Sequence, residues 1–406
     1  MSRRSLAVLA TAALMSAAAV EAHGAPPSLS ARAAFLVQPD THDVIYQRNA
    51  TSRRAVASTT KLMTALVALD ALDLHKRYTL PPYFPAAGES VAGLRGGESM
   101  TFADLLRAMM LPSANDAAHA VAILAAGSVD RFVARMNARA RKLGLTDTHF
   151  STPIGLDDPG NYSSARDLVF MALLLRRNPF VHEIIGQPRA ILHSGARERV
   201  VVNRNDLVAK YPFVDGVKTG HTIDAGYVLV GSATRSGISV VSAVLGDPSI
   251  ASRDADTLAL LRYGLDQYAR ATAVTAGQVL RRVPVKDQGD LRAALSAAHT
   301  LSAVARRGEH LTIRVTGAPA TLKGPLAAGS RVGTVQALRR GKVVGTTALV
   351  TSRAIPKPTI PQRVRSWLKR GGTIALLAFL AGCTVLLVLL RRRVVRRRSA
   401  PSGRVQ

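Results

Sequence analysis

The sequence predicts an α/β (α+β) domain whose sheet gathers segments from both of its ends, then a small all-β domain and a transmembrane helix. Three observations carry this prediction. Apolar residues recur at spacings of three and four between Ser58 and Leu175, flanked by strand-like runs at 33–46 and 214–245. Beyond about Ala271 the pattern changes to short alternating stretches separated by Gly and Pro. Residues 371–390 contain no charge at all.

Each element follows in order. The basic start Met1-Ser2-Arg3-Arg4, an apolar run over 6–20 and small residues around Ala22-His23-Gly24 form the pattern of a secretory signal peptide, residues 1–24. The first domain is expected over 27–270. In it, 33–37 and 44–46 read as strands joined by a turn at Pro39-Asp40. Residues 58–72 read as a helix with Leu62, Leu66 and Leu69 on one face. Residues 101–110 read as another, with Thr101 as N-cap ahead of Asp104. Helical patterns continue over 116–126, 128–143 and 164–175, and the Pro/Gly/Asp-rich 151–162 is loop. Strands return at 214–218, 227–233 and 238–245, and an amphipathic helix over 254–268 closes the domain. Short strands near 311–315, 332–335, 343–344 and 348–350 place a β-sandwich-sized domain over 271–354. Pro356, Pro358 and Pro361 make 355–370 a stiff linker and juxtamembrane segment.

Twenty residues at about 1.5 Å rise span roughly 30 Å, the thickness of a bilayer's hydrocarbon core. Lys369 and Arg370 precede 371–390, and Arg391 to Arg393 with Arg396 to Arg398 follow it. The heavier basic cluster belongs on the cytoplasmic side, and Trp367 suits the interface. With the signal peptide, this predicts a single-pass protein of the cell membrane. The body lies on the extracytoplasmic side, and 391–406 form a basic cytoplasmic tail.

The formal net charge is +28. Two basic groups and one acid in 1–22, and eleven basic groups with no acid in 363–406, carry twelve of those charges. About +16 remains on the exported part. Export makes nucleic acid a poor partner for that surface; anionic wall polymers or the outer membrane surface fit better. The single cysteine, Cys383, lies in the predicted span, so the body holds neither a disulfide nor a thiol nucleophile. With no H-E-x-x-H, Cys/His cluster or acidic calcium loop, neither a metal nor a cofactor is expected. His119, His149, His182 and His193 read as structural histidines.

Three motifs occur in order: Ser58-Thr59-Thr60-Lys61, Ser113-Ala114-Asn115 and Lys218-Thr219-Gly220. A serine hydroxyl is a poor nucleophile until a base takes its proton. Ser58 and Lys61 stand three apart at a helix start, so they share a face. Lys61 must be largely neutral to act as that base, which burial or a nearby cation such as Lys218 would favour. Ser113 and Asn115, after the helix-halting Pro112, present a hydroxyl and an amide to one cleft. Lys218 and Gly220 share one side of a strand end. Glycine there admits a substrate backbone, and Lys218 with Thr219 suits a carboxylate. Each motif has a plainer alternative: a serine N-cap and solvated helix lysine, a turn with Asn115 capping the helix at Asp116, an ordinary strand-end turn. A second S-x-x-K, Ser366-Trp367-Leu368-Lys369, has no companion motif downstream and reads as interfacial sequence.

The flanks extend these matches to Ala57-Ser58-Thr59-Thr60-Lys61-Leu62-Met63-Thr64, Ser113-Ala114-Asn115-Asp116-Ala117, Tyr162-Ser163-Ser164-Ala165-Arg166-Asp167 and Asp215-Gly216-Val217-Lys218-Thr219-Gly220-His221-Thr222. On them the chain, over about 27–350, resembles the D-alanyl-D-alanine carboxypeptidases among the low-molecular-mass penicillin-binding proteins, the S11 serine peptidases. The resemblance implies a penicillin-recognising, β-lactamase-like serine transpeptidase fold followed by a β-sandwich. It implies that Ser58 is acylated by a peptidoglycan stem ending in D-Ala-D-Ala, that the last D-Ala leaves, and that water then cleaves the ester. Lys61 would be the general base; Ser113, Asn115 and Lys218 would assist proton transfer and binding. Thr219 and Gly220 would line the substrate strand, and Arg204, in Asn203-Arg204-Asn205, would face the substrate carboxylate. Backbone N–H groups of Ser58 and His221 would form the oxyanion hole, and β-lactams would acylate Ser58. Three departures stand out. Ala114 replaces a frequent Gly, and Ile154 in Pro153-Ile154-Gly155-Leu156 replaces an often polar residue. The tail is fully transmembrane where many relatives carry an amphipathic helix.

Rival readings share the chemistry. A β-lactamase lacks support, because no E-x-x-L-N lies between the second motif and Lys218. A D,D-endopeptidase opening cross-links needs only a different substrate for the same serine. A non-catalytic penicillin-binding wall sensor would keep the motifs without the turnover.

Overall fold

A computed structural model describes residues 24–369 and 371–398, so the signal-peptide reading (Gly24 apart) and the end of the basic tail lie outside the described residues. The chain divides into two compact units. The first runs through Arg270 together with Arg306–Gly308; the second holds the rest, from Ala271 on.

The first unit is built on a five-stranded antiparallel sheet. Its strands are β1 (Ala33–Gln38), β2 (Asp43–Arg48), β3 (Val214–Thr222), β4 (Gly226–Arg235) and β5 (Ile238–Asp247), in the order β2-β1-β5-β4-β3. The early and late segments do meet: Ala33 pairs with Leu245 and Val37 with Val241. All of β1 is buried, because helices cover both faces of the sheet. Alternation decides which residue serves which face. Phe35 and Val37 join the main helical core, while Leu36 packs beside Gly264 of a helix on the other face.

That helical core surrounds α1 (Lys61–Leu69), of which every residue but Leu69 is buried. A helix apolar all round belongs in a core rather than on a surface. Around it lie α2 (Phe102–Met110), α3 (Asn115–Ala126), α4 (Val129–Lys142) and α5 (Ala165–Leu175). Sequence chemistry fixes their ends. Thr101 accepts from the Asp104 amide, Ser128 from Arg131 and Ser164 from Asp167, and Gly127 closes α3 in the left-handed region at φ +81°. On the sheet's other face lies α6 (Ile250–Asp266), started by a Ser249/Ser252 capping box.

Two expectations change here. The predicted helix over 58–72 begins as a 3-10 turn, Ala57–Thr60, so the α-helix starts at Lys61. The third motif is not at a strand end: β3 continues through Thr222, which places Lys218, Thr219 and Gly220 in its body.

The second unit holds a five-stranded antiparallel sheet of β6 (Val279–Pro284), β7 (Arg292–Ala297), β8 (Thr312–Thr316), β9 (Arg331–Arg339) and β10 (Lys342–Thr351), in the order β6-β7-β10-β9-β8. The two short strands expected at 343–344 and 348–350 form the single strand β10. Part of the expected extended linker is helical: α7 (Ile360–Leu368) starts with a Thr359/Gln362 capping box and Pro361 in its first turn. Beyond it, α8 (Gly371–Arg398) contains an apolar stretch, Gly372–Val395, long enough to cross a membrane and almost entirely exposed.

Candidate active site

The segment before Ser58 is tied down on both sides. Arg54 and Ala55 pair with Ser163 and Tyr162, whose own segment is held by Ser164 capping α5. Ala57 then adopts φ +48°, a left-handed conformation that a non-glycine residue keeps only where its surroundings impose it. The 3-10 turn that follows sets Ser58 half-buried at its start and Lys61, fully buried, at the head of α1.

Lys61 is the centre of the site. Its Nζ lies 3.0 Å from Ser58 Oγ, 2.7 Å from Asn115 Oδ1 and 2.7 Å from the Ile154 carbonyl oxygen. As an ammonium it donates to all three. As a neutral amine it donates to the amide and the carbonyl and keeps a lone pair for the serine proton. Burial, and then the Arg204 charge, lower its pKa to about 7, against the opposing pull of Glu89 and Asp116. Arg204 joins the expected helper, Lys218, as a cation near Lys61, and burial, then the repulsion between the two lysines, lowers the Lys218 pKa. Lys218 is itself buried and donates to the Thr219 carbonyl at 3.1 Å. Burial, and then Lys61, Arg204 and Arg253, push it well below the ordinary lysine range.

Two glycines let backbone approach this turn. A Cβ at Gly220 would lie 2.9 Å from the Val56 carbonyl oxygen and 3.2 Å from the Ser58 amide nitrogen, so only glycine lets β3 rest against the Ser58 turn. A Cβ at Gly155 would meet the Ala57 carbonyl oxygen at 2.1 Å, and its φ is +85°. That contact brings the Ile154 carbonyl onto Lys61. Ile154 therefore contributes through its backbone, which the sequence position alone did not show. Thr64 holds the same loop by donating to the Pro153 carbonyl at 2.7 Å.

The second motif is likewise placed by its neighbours. Ser113 is buried at φ +66°, and its hydroxyl has no hydrogen-bond partner among the described residues. Asn115 does not cap α3. Ala114 occupies that position, and the Asn115 amide is spent on Lys61 and, through Nδ2, on Glu89 Oε2 at 2.7 Å. Glu89 also accepts from the Tyr83 hydroxyl and the Ala86 amide. Burial raises its carboxyl pKa, but these bonds outweigh burial and hold it below its ordinary value. Asp116 accepts from the amides of Ala92 and Leu94 and so anchors the loop that carries Glu89. Tyr83 and Glu89 were missed in the sequence because they sit in an aperiodic Pro/Gly-rich stretch.

Arg204 is exposed between two buried asparagines. Asn203 Nδ2 donates to the carbonyls of Ile185 and Gln187, and Asn205 Nδ2 donates to the Gly216 carbonyl at 3.1 Å. The pair clamps a turn that presents the guanidinium beside β3. At the start of β3, Asp215 pairs with Arg176 at 2.7 Å and accepts from Ser232 and Thr234. Thr219 is buried, whereas His221 is exposed with its ring stacked on Tyr227 at 4.0 Å. Ser58, Lys61, Asn115 and Gly220 are thus brought into direct contact, and Lys218 and Arg204 act on Lys61 or are acted on by it through charge. Ser366 stands apart: its hydroxyl donates to Asp287 in the second unit.

A family model for D-alanyl-D-alanine carboxypeptidase matches residues 19–249. The chain belongs to the D-alanyl-D-alanine carboxypeptidase family. The family's C-terminal module is present as well: a model for the penicillin-binding protein 5 C-terminal domain matches residues 268–357. The chain is 32% identical over 359 residues to D-alanyl-D-alanine carboxypeptidase DacA of Escherichia coli (strain K12), covering 84% of this chain and 88% of that one. It is 30% identical over 338 residues to DacF of Bacillus subtilis (strain 168), covering 80% and 86%. Among solved structures, penicillin-binding protein 5 from Haemophilus influenzae aligns with a TM-score of 0.59 at 28% identity, covering 82% of this chain and all of that one. The Streptomyces K15 DD-transpeptidase aligns with a TM-score of 0.56 at 32% identity, covering 60% and 99%. This carboxypeptidase-family chain is therefore a serine-type hydrolase of the cell wall, with a penicillin-recognising fold and a C-terminal β domain.

Proposed function

We propose that Ser58 is the nucleophile that removes the terminal D-Ala from peptidoglycan pentapeptide stems, with Lys61 as its general base. The observation that carries this reading is the three-way contact of a buried lysine with the Ser58 hydroxyl, the Asn115 amide and the Ile154 carbonyl. Neutral Lys61 takes the Ser58 proton as Oγ attacks the carbonyl of the penultimate D-Ala. Backbone N–H groups of Ser58 and His221 hold the oxyanion. The proton passes to the leaving amine through Lys61, Ser113 and Lys218, D-Ala departs, and water cleaves the ester by the reverse relay. The unpartnered Ser113 hydroxyl suits a group whose partner arrives with substrate. Arg204 and Thr219 hold the terminal carboxylate, and Asn115 and Gly220 lie along the acyl chain. β-Lactams acylate the same serine.

The signal peptide over 1–24 exports the catalytic domain of 27–270 and the β domain of 271–354. The 355–370 segment connects them to a span through 371–390, with 391–406 left in the cytoplasm. Catalysis then takes place on the extracytoplasmic side of the cell membrane.

A digest of a pentapeptide stem and a cross-linked stem dimer, read by mass spectrometry, tests the proposal. Loss of one D-Ala from the stem is expected. Opening of the dimer with an intact stem would favour the endopeptidase. Covalent penicillin at Ser58 with neither product would favour the wall sensor.

A further inference from the structure

β3 has a second basic feature, at the end away from Arg204. The residues after Gly220, from His221 through the hairpin to Tyr227, line a cavity of about 550 Å³ whose lining also includes Arg32, Arg53 and Arg54. Arg53 is engaged with Asp147 at 3.7 Å and with the Thr146 carbonyl. Arg32 and Arg54 have no ion-pair or side-chain hydrogen-bond partner among the described residues, and the Arg54 Nε is buried without an acceptor. Their charges oppose each other, since burial and then Arg32 lower the Arg54 pKa. Two carboxyl groups share the lining, Asp224 and Asp247. Burial, and then Asp256, raise the Asp247 pKa to about 8, which weakens its offset of the arginines. Two guanidiniums brought together in one cavity, without an ion-pair partner among the described residues, form a receptor for an anion, and their fork geometry favours a carboxylate or phosphate group.

The direction of β3 indicates which part of a substrate reaches this cavity. The Arg204 turn is anchored at Gly216 through Asn205. Ser58 lies against Gly220, and the cavity begins at His221. At about 3.4 Å per residue, the anchor and the cavity sit on opposite sides of the serine along the strand. A stem whose terminal carboxylate meets Arg204 therefore runs its upstream residues toward Arg32 and Arg54. We propose that this cavity is an acyl-side subsite that binds a free carboxylate carried by the stem upstream of the scissile bond. The inference rests on the carboxypeptidase reading and deepens it: it makes the enzyme selective for stems that are not amidated.

The test uses the full-length protein in detergent and two pairs of pentapeptide stems. One pair carries a free carboxylate or a carboxamide at the second residue; the other carries or lacks a side-chain carboxylate at the third. In at least one pair, loss of the carboxylate is expected to lower kcat/KM about tenfold, mainly through KM, and the pair that responds identifies the position read. The Arg32→Gln/Arg54→Gln variant is expected to treat both members alike, at the wild-type rate for the amidated one. Unchanged penicillin acylation of that variant, and the same trend in Arg32→Gln alone, would separate loss of the subsite from loss of fold. Equal wild-type rates within both pairs would overturn the subsite, as would preference retained in the double variant. Absence of D-Ala from every stem would remove the carboxypeptidase reading itself, and the subsite with it.

Discussion

The chain carries the same tetrapeptide pattern twice, and the two copies behave as different chemistry. In both, Ser and Lys stand three apart at or on a helix, so local geometry permits contact in each. At Ser58 the lysine is fully buried and meets an amide 54 residues away and a carbonyl 93 residues away. At Ser366 the serine donates to the Arg363 carbonyl and to Asp287, and Lys369 is exposed. Spacing supplies only proximity. Reactivity comes from the shell that desolvates the lysine and orients its proton.

The largest test of that contrast is deletion of each hydroxyl. Ser58→Ala should abolish D-Ala release, by on the order of 10⁴-fold or more, together with covalent labelling by penicillin. Ser366→Ala should leave both intact. Labelling that survives Ser58→Ala would break the comparison. Next comes Gly220→Ala. Its methyl group would be forced against the Val56 carbonyl and the Ser58 amide, and a displacement of about 1 Å near a reacting atom costs on the order of 10²-fold. Acylation rates on a variant with a normal melting curve would show it, and wild-type rates would deny that β3 and the nucleophile's turn are in register.

A smaller effect is expected on stability. Asp215→Asn leaves Arg176 without its charged partner and should cost about 3 kcal/mol in urea unfolding. Burial pushes the Asp215 carboxyl up, but Arg176, Ser232 and Thr234 outweigh it and hold the pKa below its ordinary value. Its contribution is therefore present above the unfolded carboxylate pKa and fades as pH falls through the folded one. The difference between wild type and Asp215→Asn should shrink in acid.

The finest test moves a pH profile. With Lys61 as the proposed base, neutral lysine is the form required, so acylation should rise with pH through about 7 and then level. The Arg204 charge lowers that pKa and the Glu89 charge raises it. Arg204→Gln should shift the acid limb to higher pH and slow acylation at pH 6; Glu89→Gln should shift it lower and speed it. Shifts of the same sign in both variants would show that the shell does not tune Lys61.

Much of the architecture was legible in the chain because it rests on local rules. Thr101, Ser128 and Ser164 cap helices where a hydroxyl three residues ahead of an amide would be expected to. The apolar run of 371–390 is recovered as a single helix. The misses were also local in kind. A 3-10 turn before α1 leaves no periodic signature, and Pro361 reads as part of a stiff extended linker although it also suits a helix's first turn.

The sequence by itself determined the reactive groups, their order, and the fact that Ser58 and Lys61 share a face, because bond geometry over three residues suffices for that. It also determined that Thr101 caps a helix and that one long apolar helix lies near the C-terminal end. Only the tertiary structure decided that burial and the Arg204 charge lower the Lys61 pKa to about 7, and that Asn115, Glu89 and the Ile154 carbonyl complete its shell. Desolvation and Coulomb interaction depend on distance in space, and those distances exist only once β3, α1, α3 and the 152–156 loop have packed together.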